Sequence, residues 1–357
     1  MLTFKCPLKY LTLYRYTLSR ALFKRRIQVM SGSTYMVSLP KDWARLHNLK
    51  QHDEVVIEIL PDLSLKISPV QSRRSFEKSY TFYLSGLRAY DMIQLVSAYL
   101  AGYDEVKINC GRCSADYARS VVRELINKTI GLEIVETSQF EYVVKNVAGD
   151  FSIGVDEIIL RVFRILKMML QDLSNALAKE AGRDVYREIA ERDSLVDKLT
   201  LYGLRVFNKV FMGEILPKDV GFKSFAEVNV YYNILRNLER TVDHVAILAR
   251  DLGDLDGRLD ERVREATLNH INTLADFCDK VMNLYASKSG KDFSSLLNVE
   301  YENVKKAEET SRRMIASNPN YFFIYDNLYR VRGYLLDIVE LVSDIKYLTQ
   351  RLQFEEG

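Results

Sequence analysis

Ser224–Leu252 reads SFAEVNVYYNILRNLERTVDHVAILARDL, and its reading decides the fold of most of the chain. Apolar residues recur at three- and four-residue intervals without glycine or proline, which predicts one long amphipathic helix. The same pattern returns 94 residues later. Tyr231 falls on Tyr325, Asn233 on Asn327, Arg236 on Arg330 and Asp243 on Asp337. Val242, Val245 and Leu248 fall on Leu336, Val339 and Val342. Any two amphipathic helices agree at apolar positions. Four polar or aromatic identities at one offset are a stronger sign of an internal repeat.

Working outward, helical periodicity runs from Ser152 to the end of the chain. It predicts six helices, roughly 154–181, 184–213, 224–252, 258–287, 292–316 and 319–353, separated by the breaks AGRD, GEILPKDVGFKS, DLGDLDGR, SKSGKD and SNPN. A helix of about 28 residues is about 42 Å long. Antiparallel neighbours of that length make an elongated bundle, and the repeat divides it into halves at 152–255 and 256–357.

The second helix contains Asp193 and Asp197, and the third contains Glu239 and Asp243. Each i, i+4 pair lies on one helix face. A turn-rich loop joins these helices, so the pairs can meet across their interface. Four converging carboxylates repel unless a cation neutralises them, and hard oxygen ligands suit Mg, Mn, Ca or Fe better than Zn. The competing reading is a solvated acidic face paired with Arg192, Arg236 and Arg240. His244 points about 100° away from Asp243 and is expected to pack or face solvent.

Toward the N-terminus, residues 76–148 alternate strand and helix patterns and predict an α/β segment of unassigned role. Within it, Cys110 and Cys113 form a CGRC between a strand and a helix. A second cysteine pair is missing, so zinc is weakly supported. A redox pair, a structural disulfide and incidental placement stay open. Residues 24–70 read as short strands, a helical turn opened by Pro40, and further strands. Ile27 and Val29 alternate on one strand; Val55, Ile57 and Ile59 alternate on another. About 45 residues bury too little surface to be stable alone, which predicts two interleaved copies. Residues 1–23 are read as an uncertain, disordered extension.

Charge is unevenly placed. Residues 1–50 hold ten Lys or Arg and one acid, while the rest of the chain carries a net −7. Positive charge gathered at one end suggests a polyanion partner there. Lys24, Arg25, Arg26, Lys41 and Arg45 are the candidates for phosphate contacts on DNA. No apolar run approaches the roughly 20 residues of a membrane span. Met1–Phe23 lacks the apolar core of a secretory signal, so a cytoplasmic protein is expected. Glu-x-x-His, a nucleophile elbow, a P-loop and G-x-G-x-x-G do not occur, and no enzyme activity is expected.

Two resemblances sharpen these expectations. The helical region resembles the PhoU family of tandem three-helix bundles, whose [E/D]-x-x-x-D signatures hold metal clusters, often iron. The resemblance implies a metal at Asp193, Asp197, Glu239 and Asp243, with iron foremost and Mg, Mn or Zn as alternatives. The second half departs from the signature: Asn298 and Glu302 stand on one helix and Gly333 and Asp337 on the next. Only a weakened second site at Glu302 and Asp337 is implied. The stretch GSTYMVSLPKDWARLHNLKQHDEVVIEI resembles an AbrB/SpoVT-type swapped-hairpin module, a small β-barrel completed by dimerisation. Its usual Gly-Asp turn is His52-Asp53 here, and its Asp-Gly turn is Asp62-Leu63-Ser64. The order of segments resembles archaeal PhoU-like regulators. The expectation is a multi-domain α+β homodimer that binds DNA and regulates phosphate uptake. The alternative is an adaptor docked on a phosphate ABC transporter, with the head used only to dimerise.

Overall fold

The computed structural model describes residues 22–30, 32–59, 63–70, 78–149, 153–255, 257–287, 301–316 and 319–355. The expectation for residues 1–23 falls outside these except at Leu22 and Phe23. So do Asn298 and residues 292–300 of the fifth expected helix. The fold is mixed α+β, in two compact units, Met1–Phe76 and Glu77–Gly357.

The first unit contains two separate antiparallel hairpins. β1 (Gln28–Met30) pairs with β2 (Thr34–Met36), and β3 (Val55–Ile59) pairs with β4 (Leu65–Pro69). Between them lies α1 (Lys41–Leu46), opened by Pro40, whose carbonyl accepts the Ala44 N–H at 3.0 Å. At both unusual turns a non-glycine residue has a positive φ: His52 at 73° and Leu63 at 62°. Both occupy the left-handed region that glycine favours. Pro69 is the single buried residue among those described in this unit. Ile57 and Ile59 of β3 are 58% and 71% exposed.

The second unit has two cores. A four-stranded sheet has the order β5-β6-β8-β7, with β5 (Ser79–Tyr83), β6 (Glu105–Asn109), β7 (Leu132–Thr137) and β8 (Glu141–Asn146). β5 and β6 run parallel, joined through α2 (Arg88–Leu100). The remaining pairs are antiparallel. Alternate strand residues Phe82, Val106, Ile108 and Val144 share a core with Leu95 and Tyr99 of α2 and with Val121, Val122 and Leu125 of α3 (Ala115–Lys128). Cys110 and Cys113 form a disulfide between β6 and α3.

The helical core is built from α4 (Val155–Ala178), α5 (Arg183–Glu191), α6 (Asp193–Phe211), α7 (Phe225–Asp254), α8 (Glu261–Ser287), α9 (Tyr301–Ala316) and α10 (Phe322–Glu355). One expected helix, 184–213, is in fact α5 and α6, interrupted at Arg192. No proline or glycine marks that break, which is why periodicity did not show it. At the start of α7, Ser224 Oγ accepts the Glu227 N–H at 3.1 Å and the Glu227 carboxylate accepts the Lys223 N–H at 2.6 Å. Two orphan amides of the first turn and its approach are thereby satisfied.

The sequence repeat has a structural counterpart. Asn233 Nδ2 donates to the Asn229 carbonyl at 2.8 Å, and Asn327 Nδ2 donates to the Phe323 carbonyl at 2.9 Å. The helices share one continuous core, in which α7 packs on α10 and α4 on α8.

The sheet and the helices are joined by a buried polar clamp. Arg205 of α6, 1% exposed, donates to the carbonyls of Tyr99 and Tyr103 at 2.7 and 2.8 Å and to Asp104 Oδ1 at 2.7 Å. Lys209 Nζ donates to the same Asp104 oxygen at 2.9 Å, and Asn208 Nδ2 to the Leu100 carbonyl at 2.9 Å. These donors reach the carbonyls at the C-terminal end of α2 and of the turn after it, where helix carbonyls lack their usual partners.

Candidate functional site

α6 and α7 bring the predicted carboxylates together. Asp193, Asp197 and Asp243 each place an oxygen so that the three lie within 4.8 Å of one another. Glu239, one turn before Asp243, stands beside this trio within electrostatic reach of Asp193 and Asp197. All four are half-buried. The close approach of the two helices has a local cause. A Cβ added to Gly203 of α6 would lie 2.5 Å from Leu235 Cδ2 of α7, so only glycine lets the helices meet there without displacing Leu235.

The electrostatics record the crowding. Asp243 is pushed up to about 7 by burial, then by the charges of Glu239 and Asp193, a hydrogen bond with Asp193, and Asp197. Asp197 is raised by burial and by Asp193, with Lys128 opposing. Glu239 is raised by burial and by Asp197, against Arg236 and Arg240. With Asp243 ionised its hydrogen bond with Asp193 is lost and Asp193 Oδ1 is buried without a partner, while its other oxygen lies 3.5 Å from Arg250.

The arginines of the solvated-face reading are mostly engaged elsewhere. Arg192 pairs with Asp172 at 2.6 Å, and Arg240 lies over the Tyr334 ring at 5.9 Å. Arg236 and, more weakly, Arg240 still act on the group through Glu239. His244 is turned away: its Nδ1 lies 2.8 Å from Asn327 Oδ1 and its ring stacks on Tyr334.

This donor set fits a hard cation. Oxygens around one ion with bonds of about 2.1–2.4 Å lie at most about 4.2–4.8 Å apart, and the trio lies within 4.8 Å. A cation would also give Asp193 Oδ1 its missing partner, since a buried unpaired carboxylate oxygen is costly. In the second half, Glu302 and Asp337 are exposed, and neither joins a group of three metal-ligating side chains among the described residues.

In the first unit, Lys24, Arg25 and Arg26 precede β1, Lys41 opens α1 and Arg45 lies one turn on; all five are exposed. Among the described residues none forms an ion pair. Arg25 Nη1 donates to the Lys24 carbonyl at 3.1 Å and its guanidinium stands 5.5 Å from the Phe23 ring centre.

Sequence reasoning missed the Arg205 clamp. Nothing in the spacing of Arg205 and Lys209 on an amphipathic helix marks them as buried, and their half-buried partner Asp104 lies a hundred residues away in sequence. It also missed a cluster of cations beside Asp197 contributed by α3.

Residues 28–75 match a family model described as antidote-toxin recognition MazE, bacterial antitoxin. Comparison with curated proteins and with solved structures returns no match. Among the described residues no helix is long and apolar enough to cross a membrane. The N-terminal segment therefore carries a MazE/AbrB-like domain, consistent with a DNA-binding or regulatory role.

Proposed function

We propose that this protein is a dimeric, DNA-binding transcriptional regulator whose helical region holds a carboxylate-bound metal, acting in the control of phosphate uptake. The observation that carries the first part is the head. It matches a MazE/AbrB-like model, yet a single copy leaves both hairpins almost without a core. Domains of this class dimerise and bind DNA, and a second copy would cover Ile57 and Ile59. A twofold head doubles its set of five exposed cations. Such contacts fix position on the phosphate backbone and make binding strongly salt-dependent.

The metal reading is supported by the convergence of Asp193, Asp197 and Asp243, with Glu239 adjacent. These residues would hold a hard cation, with iron, Mg or Mn fitting better than Zn. The ion would supply charge neutralisation. The assignment to phosphate uptake rests on the PhoU resemblance of the helical region.

Mobility-shift titration against the protein's own upstream DNA, at two salt concentrations, tests the regulator. The expected result is retardation that weakens steeply with salt and is lost on combined Lys41→Ala and Arg45→Ala substitution. No retardation at low salt would favour the transporter adaptor. Elemental analysis tests the metal. Bound metal should fall in Asp197→Ala, Asp243→Ala protein, and unchanged content would count against the site.

A further inference from the structure

Beside the carboxylates lies a cleft of about 630 Å³, walled by α2 and α3 on one side and α6 on the other. Three cations line it: Arg123 and Lys128 from α3 and Lys198 from α6. None of the three is held in a close ion pair among the described residues. A fourth, Arg88, is already neutralised, because its Nε donates to Glu124 at 3.0 Å. The remaining acid on the wall is Asp197. Of the neutral polar side chains on the wall, Ser120 and Ser194 donate to the Tyr117 and Glu191 carbonyls, both at 2.8 Å, and Asn127 offers an amide donor.

Arg123 and Lys128 are exposed and Lys198 is half-buried, so the cleft gathers like charges from two facing elements at its mouth. A cleft lined by one sign of charge attracts counter-ions. Lys128 also ends α3 and complements that helix's negative C-terminal end. An anion in the cleft would neutralise all three cations at once. Guanidinium and ammonium donors beside the Asn127 amide match phosphate oxygens. The volume lies within the range of small-molecule sites and far exceeds a single phosphate.

We infer that this cleft binds a small phosphate-bearing anion, either free phosphate or a phosphorylated metabolite of nucleotide size. Its ligand would bridge the α/β layer and the helical core. The inference stands on Arg123, Lys128 and Lys198; only a contact between the anion and an ion at Asp197 rests on the metal reading above.

Isothermal titration of the full-length protein with orthophosphate, and separately with adenosine monophosphate, tests it. Each titration is run with Mn²⁺ and with chelator. The expected result is saturable binding of at least one probe. It should weaken about tenfold or more in Arg123→Gln, Lys198→Gln protein, whose metal content stays at the wild-type level. Binding of both probes identifies phosphate itself as the recognised group. Binding of the nucleotide alone identifies a phosphorylated metabolite. If the double variant does not fold, the single Lys128→Gln variant should still weaken binding several-fold. Loss of metal in Asp193→Asn, Asp243→Asn protein with anion binding retained supports the cleft by itself. Wild-type protein that lacks metal yet binds the anion likewise supports the cleft and refutes the metal. No binding of either probe at roughly 10 mM, or equal binding by the cation variants, overturns the inference.

Discussion

Asp243 sits where three other carboxylates and partial burial oppose its ionisation, so the metal-free protein carries this conflict in one proton. Its folded value of about 7 stands above the ordinary 3.8. The folded state therefore keeps a proton that the unfolded chain has released. The resulting stabilisation is complete below the ordinary value and is lost as pH rises through about 7. Asp243→Asn removes this dependence. In chelator, the melting temperature of the variant relative to wild type should rise by a few degrees between about pH 5 and about pH 8. A flat difference across that range would refute the assignment. Added divalent metal should raise the wild-type melting temperature at the higher pH and leave the variant nearly unchanged. Arg205 makes a prediction of another kind. Arg205→Ala strips the carbonyls of Tyr99 and Tyr103 of a buried donor and leaves Lys209 as the remaining close cation on Asp104. Denaturant titration should show a loss of about 3–5 kcal/mol, the usual consequence of breaking a buried ion pair. The carboxylate pairs were legible in the sequence because an i, i+4 spacing puts two side chains on one helix face whatever the fold. The role of Arg205 was not, because burial of a charge depends on a partner brought in by tertiary packing.

Among the elements, the two head turns show how local chemistry yields to context. His52 and Leu63 hold the left-handed conformation at φ 73° and 62°, at a cost of about 1 kcal/mol each or more. Replacing either with glycine should therefore stabilise the head by about 0.5–1 kcal/mol, net of the added freedom of the unfolded chain. Chemical denaturation of the single variants measures this directly; destabilisation by either would show that its side chain makes a compensating contact. Helix termini were read well where Gly, Pro or a capping residue marks them, as at Ser224. The interruption at Arg192 was not read, since it lies within an unbroken helical pattern and Arg192 itself keeps near-helical angles (φ −63°, ψ −21°). The CGRC motif left three readings open by spacing alone, and the structure pairs its two sulfurs.

For the whole molecule, the head poses the sharpest question, since Pro69 alone among its described residues is buried. Full-length protein should sediment as a dimer at micromolar concentration. Ile57→Glu together with Ile59→Glu should shift it toward monomer and abolish DNA retardation, because burying two unpaired carboxylates opposes any strand-mediated association. A wild-type monomer that still binds DNA would refute the shared-barrel reading. The sequence by itself determined the order of segments, the helical character of the C-terminal region, the strand pattern of both β-containing regions and the spacing of the carboxylate pairs. Those features follow from periodicity, turn chemistry and side-chain spacing, which act over a few residues and need no distant partner. Only the tertiary structure decided that three of the carboxylates meet, that Arg205 locks the α/β layer to α6, and that cations of α3 face Lys198 across a cleft. Each of these depends on the packing of segments far apart in the chain. The free energy of such contacts comes from burial, and no local pattern in the sequence encodes which distant groups are buried together.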